Sequence, residues 1–184
     1  HKAGGLAAAV TSTLVIVWAV VVLLRCGRAT LMTRSVGADR AERKRALPGD
    51  DLIADAIGSL THAITIRRSR QEVWKWLVQM GAGRAGWYSY DFIDNGGQRS
   101  AEKILPEFQA LEVGKVMPAL PGVTDGFNVI RYEPERFLVI AWLLPDGGYQ
   151  MTWAFLLEES GDDSTRLIVR ARGVWREQIA VAGE

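Results

Sequence analysis

A long apolar segment near the start of the chain constrains this sequence more than any other feature. Residues 3–24 read AGGLAAAVTSTLVIVWAVVVLL and contain no charged side chain. As a helix rising about 1.5 Å per residue, the segment would extend roughly 33 Å, enough to cross a hydrocarbon core of about 30 Å. Each Val, Leu or Ile near its centre favours insertion by about 0.3–0.6 kcal/mol. We therefore predict one transmembrane helix within an anchor at residues 1–26.

Other interpretations of this segment fit the sequence less well. A secretory signal peptide has an apolar region of about 7–15 residues and a small-residue cleavage site, whereas this run is longer and stops at Arg25. A lipoprotein signal needs a small residue before its cysteine, but Arg25 directly precedes Cys26. The length of the run argues against a buried helix of a water-soluble protein.

Basic residues after the apolar segment set its expected orientation. Only Lys2 precedes the segment, whereas seven basic residues follow it before residue 46: Arg25, Arg28, Arg34, Arg40, Arg43, Lys44 and Arg45. The positive-inside rule therefore predicts a single-pass protein of the cell inner membrane with its C-terminal domain in the cytoplasm. We expect Arg25, Arg28 and Arg34 to lie at the membrane surface, where they either bind anionic headgroups or only fix the topology.

The remaining chain divides into a linker and a domain. Residues 27–60 show no clear apolar period and are interrupted at Pro48 and Gly49, which predicts a basic linker. Residues 61–184 combine one helical pattern with several alternating patterns, which predicts an α+β domain with a curved antiparallel sheet. Strands are expected at residues 61–67, 127–132, 137–143, 149–158 and 165–172.

The patterns also predict which faces become buried. The helix after Ser69 has its large apolar side chains on one face and ends at Gly81. In the last strand, Leu167 and Val169 are expected to point inward. The residues of that strand expected to point outward are Arg166, Arg170 and Arg172. One short helix cannot cover the apolar inner face, so we expect a further helix, a ligand or a partner there.

Composition argues against several classes of function. The 22 Lys and Arg residues nearly balance the 21 Asp and Glu residues, and no basic stripe for nucleic acid marks the domain. One cysteine and two histidines are too few for most zinc sites and for a Ser/His/Asp or Cys/His catalytic set. Residues 81–86 match G-x-G-x-x-G, but a helix precedes them, which favours a loop over a nucleotide site. We expect neither a metal nor a cofactor.

Several stretches within residues 47–175 resemble a known superfamily. They are residues 47–51 (LPGDD), 63–66 (AITI), 72–81 (EVWKWLVQMG), 83–91 (GRAGWYSYD) and 106–109 (PEFQ). On these residues the chain resembles a bacterial member of the START-like, or SRPBCC, superfamily. That superfamily includes polyketide cyclases, aromatases and lipid-transfer proteins, and the resemblance is most specific over residues 73–91.

The resemblance implies a helix-grip fold, in which the sheet wraps a long C-terminal helix around an apolar cavity. The sequence given ends at Glu184, about where that helix would begin, so either the chain is incomplete or the cavity is open. The candidate ligand-binding residues are Arg84, Trp87, Tyr88, Tyr90, Trp142, Met151 and Trp153. The tyrosine hydroxyls could orient a carbonyl group, and Arg84 could pair with Asp91 or with an anionic ligand. A packed aromatic corner and ordinary sheet core are the alternatives.

Three functions stay open on the sequence alone. The first is a membrane-anchored START-like module that binds a membrane lipid or another apolar small molecule at the cytoplasmic leaflet. The second is a non-catalytic accessory subunit of a larger membrane protein complex, because small residues at positions 4–9 let helices approach closely. The third is a cyclase or dehydratase, which rests on fold analogy alone. No catalytic residue is predicted.

Overall fold

A computed structural model describes residues 35–89 and 91–174. The predicted membrane segment, the three predicted membrane-surface arginines (Arg25, Arg28 and Arg34) and Tyr90 lie outside these residues. Within them, none of the helices is both long enough and apolar enough to cross a membrane.

Six strands form one antiparallel sheet. They are β1 (Gly58–Ile66), β2 (Val116–Pro118), β3 (Gly126–Glu133), β4 (Phe137–Leu143), β5 (Tyr149–Glu159) and β6 (Thr165–Gly173). Their order across the sheet is β1-β6-β5-β4-β3-β2. The strands from β2 to β6 pair with their neighbours in the chain, whereas β1 pairs with β6. The sheet and its few helices confirm the predicted α+β class.

Short helices flank the sheet. They are α1 (Arg40–Lys44), α2 (Arg70–Val78) and α3 (Asp91–Asp94), with 3-10 helices at Asp50–Leu52 and Pro106–Phe108. α2 starts at Ser69, whose hydroxyl accepts the backbone N–H of Glu72 at 3.3 Å and satisfies a free donor of the first turn. Val73 and Leu77 then bury one face of α2 against the sheet.

The sheet has a core on each face. We call the face that packs against α2 the inner face. Its buried cluster consists of Val73, Leu77, Met80, Met117, Phe127, Val129, Leu138, Ile140, Phe155 and Leu157. Leu167 and Val169 pack against this cluster, which confirms their predicted inward direction. Ile168 and Leu156 point the other way, because successive strand residues alternate, and join Ala38, Leu47 and Ala63 on the outer face.

The outward-pointing arginines of β6 lie beneath residues 36–53. Arg170 is only 3% exposed, and all five N–H groups of its guanidinium are used. Its Nε donates to Thr61 Oγ1 at 3.0 Å, and its Nη1 donates to Asp50 Oδ2 at 2.6 Å. Its other three bonds reach the backbone carbonyls of Glu42, Arg43 and Arg45 at the end of α1. Arg170 therefore fixes α1 to the sheet.

The predicted linker belongs to the folded domain wherever the structure describes it. Leu47 and Ile53 are buried, and Arg172 Nη2 donates to the Ile53 carbonyl at 2.9 Å. Arg45 forms an ion pair with Glu158 of β5 at 2.8 Å. These contacts come from turns and one short helix rather than from one regular helical face, so the sequence shows no apolar period there.

Glu42 provides a second attachment of α1 to β6. Its Oε1 accepts from Arg166 Nε at 2.7 Å, and its Oε2 accepts from Arg166 Nη2 at 2.9 Å. The Glu42 side chain is 12% exposed in this bidentate pair. The Arg166 guanidinium holds the pKa of the Glu42 carboxyl below its ordinary value of 4.5, with the coulombic effect of Arg45 in the same direction.

We predict that this pair makes the stability of the domain fall in acid. Because the pKa of Glu42 is lowered on folding, its contribution is present above about pH 4.5 and is lost as the pH falls through the folded-state pKa. Denaturant unfolding of the wild type and of Glu42→Gln should therefore differ most near neutral pH and converge in acid. Exposed Glu112→Gln is the matched control. A stability gap that stays constant with pH would contradict the prediction.

Candidate functional site

A cavity opens on the inner face of the sheet. Its volume is about 300 Å³, at the lower end of the range for small-molecule sites. It is lined by Met80, Trp87, Ser89, Ala119, Phe127, Trp153, Phe155 and Val169. These residues come from the end of α2, from two loops and from β3, β5 and β6. The lining residues that the structure describes are mostly apolar and carry no carboxylate, amine, guanidinium or imidazole.

Aromatic rings form the wall of this cavity. Phe127 and Trp153 stack face to face, with centroids 4.9 Å apart and planes 4° apart. Trp87 meets both rings edge-on, at 5.6 Å from Phe127 and 6.0 Å from Trp153. Each ring restricts the others, so the wall is pre-organised for an apolar guest. The structure thus brings together Trp87 and Trp153, two of the predicted ligand-binding residues.

Two other predicted residues lie at a neighbouring cavity. Trp142 and Met151 are paired across β4 and β5 and line a space of about 420 Å³. Its other lining residues are Ile57, Gly58, Gln150, Gly173 and Val174. Trp142 also packs edge-on against Phe127 at 5.6 Å. The aromatic wall is therefore continuous between the two cavities.

Arg84 does not pair with Asp91 as the sequence suggested. Its Nη2 donates to the Val78 carbonyl at 2.8 Å, and its Nε donates to the Met80 carbonyl at 2.9 Å. The guanidinium also lies 4.6 Å from the centroid of the Phe108 ring. Burial lowers the pKa of Arg84 from its ordinary value. Arg84 binds free carbonyls at the end of α2, because helix ends leave such groups unpaired.

Tyr88 also makes a different contact from the one expected. Its hydroxyl accepts from Gln79 Nε2 at 2.6 Å, its ring packs edge-on against Trp76, and it is absent from the cavity lining. Burial raises the pKa of the Tyr88 phenol above its ordinary value. The Asp91 carboxylate accepts from the Ser100 hydroxyl and backbone N–H, and these bonds lower its pKa. Tyr88 thus packs in an aromatic corner with Trp76.

Gln79 is a supporting residue that sequence reasoning missed. It is fully buried, and its Oε1 accepts the Leu105 N–H at 2.9 Å while its Nε2 donates to the Lys103 carbonyl at 3.2 Å. These bonds fix the loop after α3 to the end of α2. No sequence signal indicates this role, because a glutamine near a helix end is usually solvated.

Few polar side-chain atoms of the described residues line the cavity. Ser89 supplies the hydroxyl among the lining residues, and the two indole N–H groups are the other polar side-chain atoms. Among the residues that the structure describes, no three His, Cys, Asp or Glu side chains lie close enough to hold a metal ion. No known protein-family model matches the chain, and neither does any curated protein or solved structure.

Proposed function

We propose that this protein binds a small apolar ligand on the inner sheet face and that residues 3–24 anchor it in the cell inner membrane. The observation that carries the proposal is the aromatic wall of Trp87, Phe127 and Trp153 around a cavity of about 300 Å³. Apolar surface that stays partly exposed in the free protein gains favourable free energy when a guest covers it. Stacked rings favour a flat ring system or an acyl chain as that guest.

The helix-grip arrangement is part of this proposal. The order of the strands supports it, because pairing of β1 with β6 gives one continuous antiparallel sheet with α2 and the cavity on the same face. The START-like resemblance and the apolar cavity both point to a lipid or another apolar small molecule. A cyclase or dehydratase would need an acid or base at its substrate, and within residues 35–89 and 91–174 no carboxylate, amine or imidazole lines this cavity.

We predict that filling the cavity abolishes ligand binding. In Ala119→Phe, the new phenyl ring would occupy the space next to Phe127 and Trp153, so affinity for an uncharged naphthylamine dye should fall at least tenfold, or about 1.4 kcal/mol. The measurement is saturable dye fluorescence with the full chain in detergent.

The matched control is the neighbouring residue. Leu120 is 47% exposed, so Leu120→Phe adds a similar ring outside the cavity and should leave dye affinity unchanged. Near-UV circular dichroism checks that both variants are folded. The proposal fails if the wild type shows no saturable binding, or if both variants weaken binding equally.

Exposed apolar residues on the edge strand favour a second candidate function, that of an accessory subunit. Ile64 is 59% exposed and Leu60 is 37% exposed on β1, and Ile57 just before this strand is 75% exposed. Apolar side chains exposed along an edge strand provide the kind of surface that a protein–protein contact would use. Ile64→Glu should prevent capture of a partner in crosslinking from mild-detergent extracts, whereas exposed Thr65→Glu should not. Finding only the monomer with the wild type would rule this function out.

A further inference from the structure

The charged residues at positions 40–45, in α1 and its C-cap, divide into two sets with different surroundings. Glu42 and Arg45 turn toward the sheet, where they pair with Arg166 and Glu158. Arg40, Arg43 and Lys44 are exposed. Arg43 and Lys44 lie three and four positions after Arg40, which places all three together on the opposite side of the helix. The contacts therefore separate these three cations from Arg45, which the sequence alone does not do.

These three cations have no carboxylate partner among the residues that the structure describes. Arg43 Nη1 donates to Ser35 Oγ at 3.0 Å and more weakly to the Ala38 carbonyl, and both of these groups are neutral. Asp39, at the start of α1, uses its carboxylate to accept the Glu42 N–H at 2.7 Å. Val36, just before α1, is 56% exposed. We call the set of Val36, Arg40, Arg43 and Lys44 the basic face.

The basic face is fixed to the sheet close to the predicted membrane segment. The Val36 carbonyl accepts from the Ala63 N–H at 3.0 Å, and the Gly37 carbonyl accepts from Arg166 Nη2 at 2.7 Å. Only residues 25–35 separate the apolar segment from Val36, and eleven residues reach about 40 Å at full extension. A surface held this close meets a bilayer at high effective concentration.

We infer that the basic face docks on an anionic lipid bilayer and that the ligand cavity consequently opens away from that bilayer. This inference rests on the proposed anchor. Each Lys or Arg close to an anionic surface favours the docked state about fivefold, so three such residues give about a hundredfold preference. The basic face belongs to the outer side of the sheet and the cavity to its inner side. The ligand is therefore exchanged with the aqueous phase rather than drawn directly from the anchoring leaflet.

Energy transfer to labelled lipid headgroups tests this orientation. The full chain, with Cys26→Ser, is reconstituted into phosphatidylcholine vesicles with or without phosphatidylglycerol. A dye is attached through Ala41→Cys on α1 or through Gln98→Cys in the loop that flanks the inner face. We expect stronger transfer from residue 41 than from residue 98 in anionic vesicles. Raising the salt from about 0.1 M to about 1 M should reduce the difference, because the Debye length falls from about 10 Å to about 3 Å.

Charge variants test whether the basic face itself, rather than the net charge of the protein, determines the contact with the bilayer. The triple variant Arg40→Gln/Arg43→Gln/Lys44→Gln should lower transfer from residue 41 at least twofold in anionic vesicles. Arg67→Gln/Arg99→Gln/Lys103→Gln removes the same charge from exposed residues elsewhere and should leave transfer unchanged.

Three results would overturn the inference. Equal transfer from both labels, or equal effects of both triple variants, would show that the basic face has no preferred contact with the bilayer. Release of the full chain from vesicles by carbonate would overturn the anchor and this inference together. Dye binding to the cavity is measured separately in detergent, so failure of the orientation is distinguishable from failure of ligand binding.

Discussion

Replacing Arg170 with methionine is expected to lower the free energy of unfolding by about 3–5 kcal/mol, because removing one partner of a buried ion pair leaves the other uncompensated. Arg170 is 3% exposed and donates five hydrogen bonds on the outer face. Methionine fills similar space but removes one donor from the Thr61 hydroxyl, one from the Asp50 carboxylate and one from each of three carbonyls, while Asp50 still accepts the Leu47 N–H at 2.9 Å. Urea unfolding of the full chain in detergent gives the measurement.

Two comparison variants make this prediction specific. Arg131→Met removes an exposed ion pair with Asp51 at 2.7 Å and should lower the free energy of unfolding by at most about 1 kcal/mol. Arg170→Met/Asp50→Asn should recover part of the loss, because it also removes the Asp50 charge, which in the single variant keeps only the longer 3.9 Å pair with Arg172. If Arg170→Met lowers the free energy of unfolding no more than Arg131→Met does, the Arg170 guanidinium does not hold residues 36–53 to the sheet.

Replacing Arg84 with methionine is expected to lower the free energy of unfolding by about 2–4 kcal/mol and to weaken ligand binding as well. The side chain donates to the Val78 and Met80 carbonyls at 2.8 and 2.9 Å, and hydrogen bonds from charged groups contribute about 1.5–3 kcal/mol each. Loss of these bonds should loosen the end of α2, which carries Met80 to the cavity. Unfolding free energy and naphthylamine dye affinity measure the two effects.

Lysine at this position distinguishes a structural role from ligand recognition. Arg84→Lys keeps the positive charge but loses the planar set of donors, so it should recover only part of the stability. Exposed Arg99→Met is the control and should change stability by less than about 0.5 kcal/mol. If Arg84→Met left stability intact but abolished binding of an anionic dye, Arg84 would contact the ligand, as one of the sequence interpretations held.

The regular strands of this domain were predictable, and their alternation explains why. In β5, alternate residues of 149–157 are apolar, and Phe155 and Leu157 lie in the inner core. Trp153 and Trp87 were expected near a cavity and do line one. In these cases the signal is local, because the alternation of apolar and polar residues along a strand indicates which side chains face the core.

Contacts between distant parts of the chain were not predictable in the same way. Arg170 was expected to point outward, and it does, yet residues 36–53 cover it. Because this segment lies more than one hundred positions earlier in the chain, the local sequence pattern around Arg170 does not indicate that it is covered. For Arg84, residue type suggested a charged partner, whereas its partners are backbone carbonyls, which every sequence contains. Neither Trp142 nor Met151 could be assigned to the first or second cavity, because assignment depends on how the strands are arranged.

Pairing of β1 with β6 has a consequence for biosynthesis. The two strands are joined across residues 58–66 and 165–173, so the earlier strand leaves the ribosome about one hundred residues before its partner exists. Until then Ile57, Leu60 and Ile64 have no sheet to join, and α1 has no Arg170 to bind. Such late, long-range closure slows folding and leaves an unpaired strand open to association during synthesis. Nascent chains halted before residue 165 should therefore be protease-sensitive throughout residues 36–66.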